Sequence, residues 1–288
     1  MSSEYFRPSS IQEATRILEA QGKQAKVLAG GTDLVVLYRA GKVRPASVVS
    51  LNAIPGLNQL ELTNKGLHLG ALVTHQALLT TPEVVGRYSA LADSARQFAG
   101  IQIRNLGTVG GNLCHASPSA DMAPPLLVLN ARAEIAGPKG TRVVELDQFF
   151  LGPNQTVLQP GEILAGLEVP APGPASASIY LKQAVRGAME IAMVGVAVGL
   201  SMANGRCREA RIALGAVAPT PFRAREAEGL LKGQELTPEL MIRAAEAAAR
   251  EARPISDVRC SAEYRREMVK VFTRRALEQA LRRARGGR

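Results

Sequence analysis

A chain of 288 residues with 46% hydrophobic and 21% charged residues has the balance of a globular protein and the length for two or three domains. No apolar run approaches the ~20 residues of a membrane helix, and the opening residues carry no basic segment ahead of an apolar core, so no span and no secretory signal are expected and cytoplasmic residence is the default. The net charge of +10 would suit nucleic acid, yet no nucleic-acid motif accompanies it, and none is expected as a partner.

In chain order, Ser9 or Ser10 can cap a helix through Ile11, Ala14, Ile17 and Leu18 that Gly22 closes. A strand at 27–29 enters a glycine loop, and a helix start follows with Thr32 or Asp33 near its cap. Strands are predicted at 48–51 and 66–71, one helix from Pro82 to Phe98, and strands at 131–135 and 142–146. The Pro-, Gly- and Ser-rich stretch 170–178 reads as a linker. Beyond it, strands over 179–186 and 191–203 turn at Asn204-Gly205 into 209–215, a hairpin signal. Three helices follow, near 221–232, 238–252 and 261–285. The last has Met268, Val271, Phe272, Arg275, Ala276, Gln279 and Ala280 at helical spacing. The basic residues of this stretch, Arg259, Arg265, Arg266, Lys270, Arg274, Arg275, Arg282, Arg283, Arg285 and Arg288, read as a solvated or subunit-facing side, because only Tyr264 and Phe272 could stack on bases there. The class is α+β: a mixed first part, then a small antiparallel sheet covered by three helices.

The chemistry is concentrated in two stretches, Ala29-Gly30-Gly31-Thr32-Asp33-Leu34 and Arg104-Asn105-Leu106-Gly107-Thr108-Val109-Gly110-Gly111-Asn112. Paired glycines beside a small hydroxyl let backbone N–H groups converge on phosphate oxygens. Neither stretch is G-x-G-x-x-G or a P-loop, and either one alone would equally be a tight turn. Cys114, Cys207 and Cys260 are too widely spaced for a zinc or iron–sulfur site, and Cys114 reads as a small packed residue. His68, His75 and His115 fall in no catalytic motif, so no catalytic side chain and no metal ligand is assigned.

Five signatures in order carry a resemblance: the two loops with the following Ala116-Ser117-Pro118-Ser119-Ala120-Asp121, then Leu158-Gln159-Pro160-Gly161-Glu162-Ile163-Leu164, then Tyr180-Leu181-Lys182-Gln183 through Glu190-Ile191-Ala192, and finally Asp257-Val258-Arg259 with Ala262-Glu263-Tyr264-Arg265-Arg266. Together they resemble the FAD-binding medium subunit of the molybdenum hydroxylases, the xanthine dehydrogenase and aerobic carbon monoxide dehydrogenase family. The resemblance implies a two-part FAD-binding domain of the vanillyl-alcohol oxidase type over residues 1–170, split near 55–60, a linker at 171–178, and a C-terminal domain over 179–288 with a three-stranded sheet. It places the flavin pyrophosphate between Leu28, Ala29, Gly30, Gly31, Thr32, Asp33 and Leu34 on one side and Thr108, Gly110, Gly111 and Asn112 on the other, the latter through backbone N–H groups and the Thr108 hydroxyl. Ser117 joins the set, Asp121 would bond the ribityl or adenosine portion, and Phe98, Leu164 and Ile191 would touch the rings. Leu164 and Ile191 could equally be plain core. Lys182 would favour the negative charge of reduced flavin.

The function so implied is electron transfer by FAD, non-covalently held. The molybdenum cofactor would lie on a large partner subunit and two [2Fe-2S] clusters on a small one, within a dimer of heterotrimers. The alternatives are a self-contained flavin reductase or oxidase of the same superfold and, more distantly, a basic binding protein without cofactor. Arg186-Gly187-Ala188-Met189-Glu190 aligns with a loop over the flavin and lacks the charges of NAD-using relatives, which points to a quinone, a protein carrier or oxygen as acceptor.

Overall fold

The computed structural model describes residues 3–187 and 189–286; the expectations at Ala188 and Arg288 fall outside them. The first layer is a parallel sheet of β1 (Glu4–Phe6), β2 (Ala25–Leu28) and β3 (Ser47–Ser50), in the order β1-β3-β2. Helix α1 (Ile11–Gln21) crosses between β1 and β2, and α2 (Leu34–Arg39) leads from β2 towards β3. Ser10 caps α1 by accepting from the Glu13 N–H, and Gly22 ends it at φ +57°, a conformation that suits a residue without a Cβ. Ala14, Leu18, Val49, Leu51 and Ile54 form the core of this layer.

The second layer is antiparallel, in the order β4-β5-β10-β6-β7. Its strands are β4 (Leu60–Thr63), β5 (Gly66–Gly70), β6 (Arg132–Gly137), β7 (Gly140–Glu145) and, beyond a small hairpin of β8 (Phe150–Gly152) and β9 (Gln155–Thr156), β10 (Ile163–Pro170). Between β5 and β6 the chain winds through six short helices: α3 (His75–Thr80), α4 (Pro82–Arg87), α5 (Ser89–Gln97), α6 (Ile101–Arg104), α7 (Val109–His115) and α8 (Ala123–Val128). Leu67, Leu69, Leu91, Leu113, Met122, Leu126, Ile135 and Leu167 seal helices onto sheet.

The single helix expected from Pro82 to Phe98 is therefore two. Tyr88 breaks it at φ −121°, ψ 46°, with its ring fully buried. The break turns α5 onto the next sheet, where the Ser89 hydroxyl donates to the Ser178 carbonyl (2.7 Å) and the Ala90 N–H to the Ser178 hydroxyl (3.2 Å). Tertiary hydrogen bonds outweigh helical continuity at this point.

The third layer is a sheet in the order β11-β12-β13-β14, of β11 (Ser176–Gln183), β12 (Val194–Ala203), β13 (Arg206–Gly215) and β14 (Phe222–Arg223). It is packed under α9 (Arg225–Leu231), α10 (Pro238–Glu251) and α11 (Ala262–Ala284). Asn204 and Gly205, at φ +50° and +77°, make the expected hairpin turn. Several expectations shift. Residues 176–178, read as linker, already pair in β11, and β14 adds a short fourth strand, which delays α9 to Arg225. The strands read as 179–186 and 191–203 stop at Gln183 and resume at Val194. Residues 184–187 and 189–193 lie outside the strands, and at the base of this 184–193 loop the Met193 N–H donates to the Gln183 carbonyl (2.9 Å). On α11 the buried line is Arg265, Val269, Thr273, Ala276, Leu277, Ala280 and Leu281; Arg275 is exposed, and Val271 and Gln279 are half-buried. A buried arginine and a buried threonine disguise that face in the sequence.

Buried Arg265 is itself an anchor. Its guanidinium donates to the Met193 carbonyl (2.8 Å) and the Ala216 carbonyl (3.0 Å) and pairs with Asp257 at 2.9 Å. The Arg259 N–H and the Arg265 charge hold the Asp257 carboxyl down at about 2. Arg265→Met leaves the Met193 and Ala216 carbonyls without this donor, while Asp257 keeps Arg259, so it should cost about 1–3 kcal/mol in urea unfolding and loosen the chain around Met193 to proteolysis.

Candidate functional site

The two glycine stretches face each other, and backbone contact sets their spacing. A Cβ on Gly30 would lie 1.8 Å from the Leu106 carbonyl oxygen, so only glycine permits this approach. A Cβ on Gly110 would meet the Ala71 carbonyl oxygen at 2.6 Å, which seats α7 against the end of β5. Gly31 stands at φ +74°, turning the chain from β2 into α2. Across the gap, His115 at the end of α7 reaches Asp33 at 3.9 Å, and the Asn52 amide holds the Ala29 carbonyl at 3.2 Å.

The stretches differ in what they offer a ligand. From Gln21 to Arg44 no residue is buried, and Leu28, Ala29, Gly30, Gly31, Thr32 and Leu34 are half-exposed. No acceptor within the described residues takes the N–H groups of Gly30, Gly31, Thr32 or Asp33. Asp33 occupies the N-cap position of α2, but its side chain makes no cap hydrogen bond. The second stretch is the reverse, and here the expectation of free N–H donors is corrected. The Gly110 N–H goes to the Ala71 carbonyl (2.9 Å), the Gly111 N–H to the Thr108 hydroxyl (3.0 Å) and the Asn112 N–H to the Thr108 carbonyl (3.0 Å). These are the donors of a helix start, satisfied by its own cap and by β5. Among the donors left for a ligand on this side are the Thr108 O–H and the Asn112 amide N–H₂, since the Asn112 carbonyl oxygen accepts from the Met122 N–H (3.2 Å). A Cβ on Gly111 would meet the Thr108 hydroxyl at 2.8 Å before anything else, so that glycine serves the cap as well as any ligand.

Asp121 and Lys182 are brought together. Their side chains, 7% and 4% exposed, pair at 2.8 Å, and the Lys182 ammonium also donates to the Gln97 carbonyl at 3.3 Å. The Tyr180 hydroxyl donates to the other Asp121 oxygen at 2.7 Å. Burial pushes the Asp121 carboxyl up while the Lys182 charge pulls it down, and burial beside Asp121 lifts the Tyr180 hydroxyl well above its ordinary range, so it stays a donor. Ser117 turns inwards on Ser119 (hydroxyl to hydroxyl 3.0 Å). Leu164 is 3% exposed within the core of the second layer, whereas Ile191, 49% exposed, belongs to the 184–193 loop and to no core. Met189 of that loop stands 63% exposed, its sulfur 3.7 Å from where a Gly100 Cβ would be.

Phe98 lies beneath the second stretch, stacked on His75 with ring centres 3.9 Å apart. Arg104 fixes this turn by donating to the Phe98 and Ala99 carbonyls (3.2 and 3.1 Å). The sequence left His75 unassigned, along with Tyr180 and Gln97. Of these, Tyr180 alone stood within a sequence signature, two residues before Lys182, a spacing that puts both on one face of β11. Burial pushes the Cys114 thiol up to about 12, which fits a packed residue and not a nucleophile. Among the described residues, no group of histidine, cysteine and carboxylate side chains is arranged to hold a metal ion, and no helix is long and apolar enough to cross a membrane.

Residues 1–172 match the family model described as the FAD binding domain in molybdopterin dehydrogenase, and residues 179–280 the one described as the CO dehydrogenase flavoprotein C-terminal domain. The chain belongs to the FAD-binding subunits of the molybdenum hydroxylases. It is 33% identical over 279 residues to the xanthine dehydrogenase FAD-binding subunit of Escherichia coli O157:H7, covering 96% of this chain and 95% of that one. To the carbon monoxide dehydrogenase medium chain of Afipia carboxidovorans it is 33% identical over 283 residues, 98% of each. Its fold matches reconstituted CO dehydrogenase from Oligotropha carboxidovorans with a TM-score of 0.94, at 33% identity and 98% coverage of both chains. The match to quinoline 2-oxidoreductase from Pseudomonas putida 86 has a TM-score of 0.91, at 34% identity, covering 99% and 98%. FAD is thus the cofactor of this subunit, an oxidoreductase component. The unspent N–H groups of the first loop, at a turn that only glycine can line, fit an anionic pyrophosphate.

His75 supplies a test of the scaffold under this site. Burial, aided by the Arg104 charge, holds its imidazole down to about 3, against 6.5 when free, and neither ring nitrogen has a partner. Between those values the unfolded chain binds the extra proton. Stability should therefore be complete above about pH 6.5 and fall, by up to about 4 kcal/mol, as pH drops towards 3. Urea unfolding across that window should show this slope, and His75→Leu should flatten it.

Proposed function

We propose that this chain receives electrons one at a time from [2Fe-2S] clusters on a small partner subunit and passes them to an external acceptor, in a cytoplasmic complex whose large subunit carries the molybdenum cofactor. The observation that carries the reading is the pairing of full-length similarity with two facing glycine loops, one of which keeps its backbone donors free. Bound FAD supplies the capacity to take up single electrons and release them singly or in pairs. The protein's part is to bind and orient. Leu28 to Leu34 wrap the pyrophosphate, with the Thr108 hydroxyl and the Asn112 amide opposite. Ser117, Asp121 and Lys182 hold the polar middle of the cofactor, and Phe98, Leu164 and Ile191 border the rings. In this reading the FAD-binding domain spans 1–170, divided near 55–60, and the C-terminal domain spans 179–288. The complex is a dimer of heterotrimers, and the substrate of the reaction is chosen on the large subunit.

Two measurements test this. The complex isolated with its partners should hold one FAD per chain, released by acid; NAD, FMN or no chromophore would overturn the assignment. Gly30→Ala, which sets a methyl group 1.8 Å from the Leu106 oxygen, should weaken FAD retention at least about tenfold as the loops are forced apart. The acceptor is tested separately. The 184–193 loop exposes Val185 and Met189, and its Arg186 is tied back to Glu190 at 2.9 Å, leaving no free cation among its described residues to meet a nicotinamide phosphate. A quinone, a protein carrier or oxygen should support turnover of the whole complex, and NAD as sole acceptor should not. Rapid NAD reduction would overturn this choice and leave the flavin assignment standing.

A further inference from the structure

We propose that Tyr180 is a positioning residue for the flavin: its hydroxyl fixes the Asp121 carboxylate and so sets how much of the Lys182 charge is felt by the bound cofactor. This rests on the reading above that FAD lies against Lys182.

Tyr180 and Lys182 are two residues apart on β11 and grip the two oxygens of one carboxylate, the hydroxyl at 2.7 Å and the ammonium at 2.8 Å. The hydroxyl has a slot of its own. Gly195 on β12, the register partner of Lys182, lies so close that a Cβ there would come within 2.7 Å of the Tyr180 oxygen. The same glycine clears the ring edge, whose Cε2 and Cζ would stand at 3.2 and 3.3 Å, but the hydroxyl is the atom that comes nearest. The rest of the tyrosine is also fixed: its N–H points to Asp93 (3.4 Å) and its carbonyl accepts from the Gln97 amide (3.4 Å). Asp93 is in turn neutralised by Arg283 at 2.8 Å and Arg96 at 3.6 Å, so Lys182 is the cation bonded to Asp121.

The group borders the cofactor loops. The carbonyl of Asp121 accepts from the Ser94 hydroxyl (2.8 Å), and the next residue, Met122, donates its N–H to Asn112 in the glycine helix α7. Gln97, whose carbonyl holds Lys182, precedes Phe98. With the pair almost closed to water, its charges are poorly screened. An ionised Asp121 cancels most of the Lys182 charge as seen by a neighbour. Without the tyrosine donor, a buried carboxylate is costlier to keep ionised and takes up a proton more readily. Lys182 then stands uncompensated, which favours the more negative, reduced form of the cofactor.

The test uses the intact complex. Tyr180→Phe should keep one FAD per chain and raise the flavin midpoint potential in a spectroelectrochemical titration at neutral pH. A purely structural tyrosine would lower Tm and leave the potential where it was. An unchanged or lowered potential with FAD retained overturns the proposal. If Tyr180→Phe loses its flavin, Gly195→Ala keeps the hydroxyl but displaces it, and is read in the same way: a raised potential supports the proposal, an unchanged or lowered one overturns it. Absence of FAD from the unmodified complex would instead strike the cofactor reading, and would be seen before any variant was made.

Discussion

At the site, Gly30 and Leu106 meet through main-chain atoms, with no room for a single methyl group between them. The spacing of the two loops is therefore set by the van der Waals radii of the backbone and not by side chains that could repack. Gly110 extends the same constraint downwards, holding α7 against Ala71 at the end of β5. With both contacts made, the N–H groups of Val109, Gly110, Gly111 and Asn112 are all hydrogen-bonded, and the first loop lies across them with its own N–H groups unspent. The result is an asymmetric clamp: one jaw is a finished piece of scaffold, and the other is completed by what it binds.

The sequence made the clamp visible but not this asymmetry. Paired glycines next to threonine advertise close backbone approach, and the order of the five signatures pointed to the family. Which N–H groups are free depends on long-range partners, such as the Ala71 carbonyl for Gly110, that no local pattern encodes. The helix break at Tyr88 was hidden for a related reason. Residues 82–98 carry good helical spacing, and it is the docking of Ser89 and Ala90 onto Ser178, almost ninety residues on, that ends the first helix. On α11 the disguise is compositional, because the buried face includes Arg265 and Thr273.

Buried charge is the recurring device of the C-terminal part. Asp121 with Lys182 ties elements distant in sequence, while Arg265 with Asp257 and Arg223 with Glu228 join neighbouring ones. Glu228 also accepts from the Ile212 N–H (2.9 Å), and Arg223 reaches Asn130 of the preceding layer (3.2 Å). Such pairs add little net stability compared with apolar packing, since desolvation offsets most of the attraction. What they do is penalise every arrangement in which one partner is left alone. Three layers built mostly from alanine, valine and leucine could slide on one another, and these interlocks confine them to a single register.

One of these anchors also bears on the 184–193 loop. Its base is held twice, by the Met193 N–H on the Gln183 carbonyl and by Arg265 on the Met193 carbonyl. Between these anchors Val185, Met189 and Ile191 are exposed and contribute to no core. A substitution at Val185 or Met189 therefore leaves the sheet beneath undisturbed, whereas one at Arg265 would disturb both loop and sheet. In the proposed reading the arrangement separates buried Asp121 and Lys182, which packing and charge constrain closely, from exposed Val185 and Met189, which they scarcely constrain. Full-length relatives at about one-third identity, with the fold retained at a TM-score of 0.94, are what such a separation allows.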